Sequence, residues 1–332
     1  MSNFWKDLKK PILVQAPMED VTDTVFRQII AKCGAPDVFF TEFTNVEGMC
    51  SRGKAKVGKR LIFTPIERPI VAQLWGLDPA KFLETAKMVK EMGFDGIDIN
   101  MGCPEKGLVK KGLCGGMIGN QTLAKEIILA VQEGAGDRSL AEGGLPVSVK
   151  TRIGIKDIQT EKWIGFLLGL NLDALTVHGR TVAEMSDVSN HWDEIGKAVE
   201  LRDSMKLKTL IIGNGDIKSK AEALEKAEKY KLDGVMIGRG IFGNLWIFND
   251  KNINPDEVPY QEKLKLLIEH VELFDKTWGK NPGSSKTAKN FSLMKKFYRI
   301  YISGIPNACA VRTELMRLMT AEETLKLLKQ LI

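Results

Sequence analysis

Cysteine is scarce in this chain, and its arrangement excludes more than it suggests. Cys33, Cys50, Cys103, Cys114 and Cys309 are odd in number, scattered, and form no C-x-x-C pair. A disulfide framework or structural zinc site is therefore not expected, and a reducing cytoplasm fits best. Histidine is rarer still, with three residues and no H-E-x-x-H or similar spacing, so no metal site is expected. No apolar run approaches the roughly 18–20 residues needed to span a bilayer, so no membrane partner is expected. The N-terminal segment has only a short apolar stretch without a small-residue cleavage site after it, and reads as mature sequence, not a signal peptide. Also missing is a G-x-G-x-x-G after the first strand pattern, which argues against a Rossmann-type resident NAD.

What is present is a globular composition, 44% apolar and 27% charged over 332 residues, enough for one large domain and a smaller one. Net charge is +6, and its placement is more informative than its size. Residues 251–332 hold 14 Lys/Arg against 9 Asp/Glu, whereas the first 250 hold 34 against 33. Between Lys276 and Thr313 there are eight basic residues and no acid. Such a stretch is either a solvated face or a surface that meets an anionic polymer.

Eight short runs rich in Val, Ile and Leu read as strands: Pro11–Ala16, Val38–Glu42, Pro69–Leu74, Gly96–Asn100, Pro146–Lys150, Ala174–His178, Thr209–Gly213 and Gly234–Gly238. Their nearly continuous apolar character is that of strands buried on both faces of a parallel sheet. Helix signals separate them. Asp78-Pro79 supplies an N-cap and a first-turn proline, Ser219 and Glu222 a capping-box pattern, and Asp20–Lys32 and Gln121–Glu133 end at glycines. Eight strand–helix alternations in about 250 residues predict a TIM (β/α)8 barrel, an α/β fold. A doubly wound sheet is the alternative, since periodicity does not show closure. Residues 1–250 are assigned to the barrel and 251–332 to a small all-α helical-bundle domain.

A functional group follows every strand pattern, at the barrel face where active sites of this fold lie. In order these are Ala16-Pro17-Met18, Glu42, Gln73, Asn100 with Cys103, Lys150 with Arg152, His178 with Arg180, Asn214 with Gly215 and Asp216, and Gly238-Arg239. The last two sets are glycine turns after strands seven and eight, the usual phosphate site, where Arg239 adds a charge-assisted contact. A phosphate there suits flavin mononucleotide (FMN) across the mouth. Lys150 and His178 would stabilise negative charge on the reduced ring, Gln73 would bond its polar edge, and Ala16-Pro17-Met18 would form an apolar shelf. Cys103, before a loop with five glycines, is placed to protonate a carbon.

The motifs APM (16–18), QLWG (73–76), INMGCP (99–104), VKTRIG (149–154), VHGRT (177–181), GNGDI (213–217) and IGRGIF (237–242) together resemble the tRNA-dihydrouridine synthase family, in order from about residue 11 to 245. The resemblance implies an FMN enzyme that uses NADPH to reduce the C5–C6 double bond of uridines in tRNA, with hydride from flavin N5 to C6. It implies that Cys103 donates the proton to C5 and that Asn100 lies beside the target base. Lys150 and His178 match the flavin- and base-facing pair, and Arg180 the arginine near substrate, with Arg152 assigned to the substrate as well. Gln73, Asn214, Gly238 and Arg239 match flavin contacts. Cys114 departs from the small residue found in many members; neutral packing and a backup redox role are both open. The alternatives are a flavoenzyme acting on a free pyrimidine or on another RNA, and an RNA-binding barrel without chemistry.

Beyond Pro255 the strand signals stop. Helices are predicted over Gln261–Trp278, Lys286–Ile302, Ala308–Met319 and Ala321–Ile332, the last with Thr320 and Glu323 as a capping box. The second carries Lys286, Lys289, Lys295, Lys296 and Arg299 among Phe291, Phe297, Tyr298 and Tyr301. The aromatics are read as core and the cations as RNA phosphate contacts. The expected partner is tRNA and the expected state a monomer.

Overall fold

The computed structural model describes residues 3–137, 143–251, 253–279, 288–304 and 307–332. Nine parallel strands form one sheet: β1 (Ile12–Gln15), β2 (Phe39–Phe40), β3 (Thr44–Asn45), β4 (Ile70–Trp75), β5 (Gly96–Met101), β6 (Val147–Arg152), β7 (Ala174–His178), β8 (Leu210–Asn214) and β9 (Gly234–Ile237). They pair in the order β1-β9-β8-β7-β6-β5-β4-β2, with β3 beside β4. A parallel bridge between Val14 and Val38 joins β1 to β2, so eight strands close into the expected barrel. The second strand is shorter than predicted: Thr41 still gives its N–H to the Val71 carbonyl (3.0 Å), but the Gln73 N–H is met by the Thr41 hydroxyl (3.1 Å) and not by a backbone carbonyl. The Thr41 hydroxyl turns onto the Glu42 carbonyl (2.7 Å), and Glu42 serves the mouth described below.

Side chains alternate along each strand. Ile12, Val14, Phe40, Val71, Ala174, Ile212 and Met236 fill the barrel interior, and Trp5, 3% exposed on an N-terminal turn, joins that cluster. The opposite set, such as Leu13, Ile97, Ile99 and Val149, packs against the surrounding helices. Period-two alternation places Gln73, Asp98, Asn100, Ser148, Lys150, His178 and Asn214 in the interior above this apolar layer.

An aspartate precedes alternate strands. Asp37, Asp95, Asp173 and Asp233 stand before β2, β5, β7 and β9, and each accepts a backbone N–H at the start of the neighbouring strand: Leu13 (2.7 Å), Ile70, Val147 and Ile211 (each 2.8 Å). Each aspartate's own N–H donates back to the carbonyl of that same residue. The repeat is visible in the sequence as Pro36-Asp37-Val38, Phe94-Asp95-Gly96, Leu172-Asp173-Ala174 and Leu232-Asp233-Gly234.

The C-terminal helices are Tyr260–Trp278, Ala308–Arg317 and Ala321–Lys329, with a 3-10 turn Phe291–Phe297 continuing into Tyr298–Tyr301. Thr320 and Glu323 form the expected capping box. The helix predicted from 286 is shorter than expected. Lys286 lies outside the described residues, Lys289 gives its N–H to the Trp278 carbonyl (3.1 Å), and Asn290 caps the turn that follows. Phe297, Tyr298 and Tyr301 are buried, as read from spacing. The Phe297 ring lies tilted against Phe26 of the first barrel helix, 4.6 Å between centroids, so one apolar core runs from the barrel to the C-terminal helices.

Candidate active site

The mouth is built from strand ends. A cavity of about 160 Å³ is lined by Ala16, Pro17, Met18, Lys150, His178, Asn214, Gly215, Asp216, Gly238 and Arg239, all of them predicted positions, together with Ser186, Ile217, Met236 and Gly240. Lys150 donates to Asn214 Oδ1 (2.9 Å), and Asn214 donates to the Met236 carbonyl (2.9 Å). Burial first, then the neighbouring Arg152, lowers the Lys150 pKa to about 8. Burial, then Lys150 and three arginines, holds His178 well below its ordinary value, so it is neutral. Arg180 Nη1 lies 3.3 Å from His178 Nε2, and a guanidinium only donates. Nε2 is therefore the acceptor and the ring proton sits on Nδ1.

Gln73 lies outside that cavity but belongs to a chain of side chains beneath the mouth. Ser148 Oγ donates to Asp98 Oδ1 (2.6 Å) and Gln73 Nε2 to Asp98 Oδ2 (2.7 Å). Asn100 Nδ2 donates to Gln73 Oε1 (3.1 Å), and Asn100 Oδ1 accepts the N–H groups of Gly102 (3.1 Å) and Cys103 (3.0 Å). An ionised carboxylate only accepts, so Asp98 sets both amide orientations and, through them, the Cys103 turn. Burial raises Asp98 to about 6. Asp98 was not among the predicted site residues, although it lies two residues before Asn100 on one strand and thus faces the same interior. Burial, above all, pushes the Cys103 thiol up, keeping it protonated. Cys114 is fully buried with its thiol pushed far up for the same reason.

The two arginines expected at the substrate are engaged by protein. Arg152 Nε donates to the Gly102 carbonyl (3.0 Å) and Nη1 to those of Thr181 and Met185 (2.8 Å each). Arg180, 2% exposed, bonds the Val188 carbonyl, His178 and both oxygens of Asp216. Both act as braces of the mouth loops. Asp216 is shared with the exposed Arg239 (2.9 Å); burial alone would raise its carboxyl, but Arg180 and Arg239 hold it low.

Of the cations assigned to RNA, Lys289 is buried between Asp23 (3.0 Å) and Glu42 (3.1 Å) and faces Trp278, which removes it from any exposed face. Lys296 and Arg299 are exposed. Lys296 donates to the Asp20 carbonyl (2.8 Å) and Lys295 to that of Met316 (2.7 Å). Lys295 and Arg299 border a cleft of about 430 Å³ with Arg312 and Arg317, two cations not singled out from the sequence. Among the described residues no helix is long and apolar enough to cross a membrane.

A closed parallel barrel with glycine turns after its last two strands and a lysine, a neutral histidine and a thiol-bearing turn at its mouth defines an enzyme of the TIM-barrel class. The chain belongs to the dihydrouridine synthase family, whose Dihydrouridine synthase (Dus) pattern matches residues 14–332. It is 42% identical over 330 residues to "Probable tRNA-dihydrouridine synthase" of Staphylococcus aureus (strain COL), covering 99% of this chain and 95% of that one. It is 41% identical over 328 residues to "Probable tRNA-dihydrouridine synthase 2" of Bacillus subtilis (strain 168), covering 98% and 95%. Among solved structures, histamine dehydrogenase from Rhizobium sp. 4-9 superposes with a TM-score of 0.54 at 13% identity, over 79% of this chain and 48% of that one. A 6-hydroxypseudooxynicotine amine oxidase from Pseudomonas geniculata N1 gives 0.54 at 14% identity, over 79% and 50%. These two likenesses are of fold.

Proposed function

We propose that this protein is a cytoplasmic, monomeric tRNA-dihydrouridine synthase that holds FMN in the barrel mouth and takes electrons from NADPH. The observation that carries the reading is the mouth itself: glycine turns, Lys150 and neutral His178 around one cavity, with Asn100 pinning the Cys103 turn beside them. The donor set fits a flavin nucleotide. Gly215 and Gly238 bring backbone close to the cavity, and Asn190, packed on Gly215, has a buried amide with no hydrogen-bond partner among the described residues. The cavity takes only part of such a ligand, being smaller than the roughly 300–1,000 Å³ of most small-molecule sites; the remainder lies in the open mouth. Arg239, 65% exposed and paired with Asp216, is free to turn to a phosphate.

When bound, the flavin supplies the electron pair that reduces the uridine C5–C6 bond. Lys150 offers a buried positive charge for an anionic ring, and His178 presents Nδ1–H as a neutral donor. Cys103, held as a thiol, supplies the proton for C5. Arg152 and Arg180 keep the loops carrying these groups in register. Lys295, Lys296 and Arg299, with Arg312 and Arg317, meet RNA phosphates while the target base leaves its stack.

Nucleoside mass spectrometry of unmodified tRNA incubated with the protein, FMN and NADPH tests this. A uridine product heavier by about two hydrogens is expected. A yellow protein that oxidises NADPH yet leaves tRNA unchanged would move the substrate to a free pyrimidine or another RNA.

A further inference from the structure

A second cleft, of about 270 Å³, begins at Pro104, the residue that follows Cys103 in the chain. Its floor is apolar, built by Pro104 and Val109 after β5, Ile155 after β6 and Met185 after β7. Its rim carries three exposed lysines, Lys106, Lys110 and Lys156, and among the described residues no carboxylate lines it. Three acids adjoin lining residues in sequence: Glu105 is turned onto the N–H groups of Gly107 (2.9 Å) and Leu108 (2.7 Å), Glu184 onto the Thr181 N–H (2.7 Å) and His191 (2.9 Å), and Asp157 is exposed beside Lys156. The cleft is preformed. Arg152 ties Gly102 after β5 to Thr181 and Met185 after β7. The Val182 N–H donates to the Gly154 carbonyl (2.9 Å) and that of Ala183 to Ile155 (2.8 Å).

We propose that this cleft holds the nucleotide adjacent to the target uridine, its base on the apolar floor and the flanking phosphates against Lys106, Lys110 and Lys156. The inference rests on the function proposed above. A uridine that reaches Cys103 has left its stack, and the neighbour it leaves behind exposes a bare base face. That neighbour is covalently tied to a base beside Cys103, where the cleft begins. Cations on the short helix Lys106–Lys110 and on the loop after β6 suit a phosphate backbone running past them. The other anionic nucleotide available, the dinucleotide reductant, is ordinarily held by backbone N–H groups at glycine turns. Those turns line the flavin cavity and none lines this cleft.

The test is a triple variant, Lys106→Glu with Lys110→Glu and Lys156→Glu, in the full-length flavin-loaded protein. Affinity for unmodified tRNA is measured across a salt series, and NADPH oxidation is measured without RNA. The expected result is at least a tenfold loss of tRNA affinity, with the slope of log K against log salt shallower by about 2–3, as for three lost phosphate contacts. NADPH oxidation is unchanged. Met185→Asp, which places a charge on the floor, raises the KM for tRNA in the same way. If instead the KM for NADPH rises and RNA binding does not change, the cleft serves the dinucleotide and the proposal is overturned. If neither moves, it holds no nucleotide and is equally overturned. Wild-type protein that fails to reduce tRNA refutes the proposed function itself, so the two failures are distinct.

Discussion

The Lys289 ammonium lies 3.1 Å from the Glu42 carboxylate, with the lysine side chain 3% exposed and the glutamate 1%. A cation from the basic C-terminal stretch is thus the counter-ion of a carboxylate at the barrel mouth. Asp23 completes the group: its second oxygen accepts from both Lys289 and Trp278 Nε1 (2.9 Å), and its first caps the helix Thr24–Gly34.

Lys289→Met leaves Asp23 and Glu42 buried without their cation. A loss of about 3–5 kcal/mol is expected, the usual consequence of removing one member of a buried ion pair. In the native protein burial alone would lower Lys289, but Asp23 and Glu42 raise it overall, so its contribution is present below the unfolded lysine value and is lost only as pH rises through the higher folded one. Burial raises Glu42, so in the variant acidification protonates it and narrows the deficit. Denaturant titrations of both proteins at neutral and acidic pH check this; a deficit that is constant with pH would exclude Glu42 as the partner that matters.

Cys103→Ala should retain flavin and lose uridine reduction by about 10²–10⁴-fold, the span of a lost general acid. Cys114→Ala should stay within about twofold of wild type, because a fully buried thiol pushed far up supplies no proton to a carbon outside its packing. Single-turnover oxidation of the reduced enzyme by tRNA reads both. A Cys114 variant as impaired as the Cys103 variant would give the second thiol a role in the reaction.

Lys150, lowered to about 8 by burial and then by Arg152, titrates within the working range of most assays. Its folded value lies below that of free lysine, so the folded protein sheds this proton first, and its contribution to stability rises with pH from about 8 to about 10.4. The charge offered to an anionic ligand has the opposite dependence, present below about 8 and lost above. FMN affinity of the apoprotein should therefore fall as pH rises through that region. Lys150→Met should bind more weakly at neutral pH and show no such fall. Fluorescence titrations from mildly acidic to alkaline pH decide it, and parallel curves for the two proteins would remove Lys150 from the cofactor site.

A Cβ at Gly215 would lie 2.1 Å from Asn190 Oδ1, and the backbone there has φ +137°. Gly215→Ala should cost about 1–3 kcal/mol in backbone strain alone, with the collision added, and should lower flavin content. Asn190→Ala in the same chain should recover the collision and leave the strain. Melting temperature and absorbance at the flavin band, compared across wild type and the two variants, separate the two contributions; a Gly215→Ala variant as stable as wild type would contradict the packing.

Much of this is legible in the sequence. All eight strand patterns are strands, because segments buried on both faces carry an unbroken apolar signature. Lys150, His178 and Asn214 could be placed at one mouth because period-two alternation decides which way a strand residue points. The same rule applies to Asp98, two residues before Asn100 on one strand. Arg152 shows where the rule ends: its Cα faces inward, but a long side chain turns back to three carbonyl groups that no spacing encodes. Lys289 shows the limit of counting charge. Its neighbours in sequence are all basic or neutral, and the two acids that bury it lie more than 240 residues away.

The aspartates before β2, β5, β7 and β9 fasten every second strand at the end opposite the mouth. Each latch spans two strand–helix units, so the barrel is assembled as four like quarters. The quarters differ almost entirely at their other ends, one bearing the thiol turn and another a phosphate turn. The latches and the chemistry thus sit at opposite ends of the same strands, so a substitution in a mouth loop leaves every latch in place.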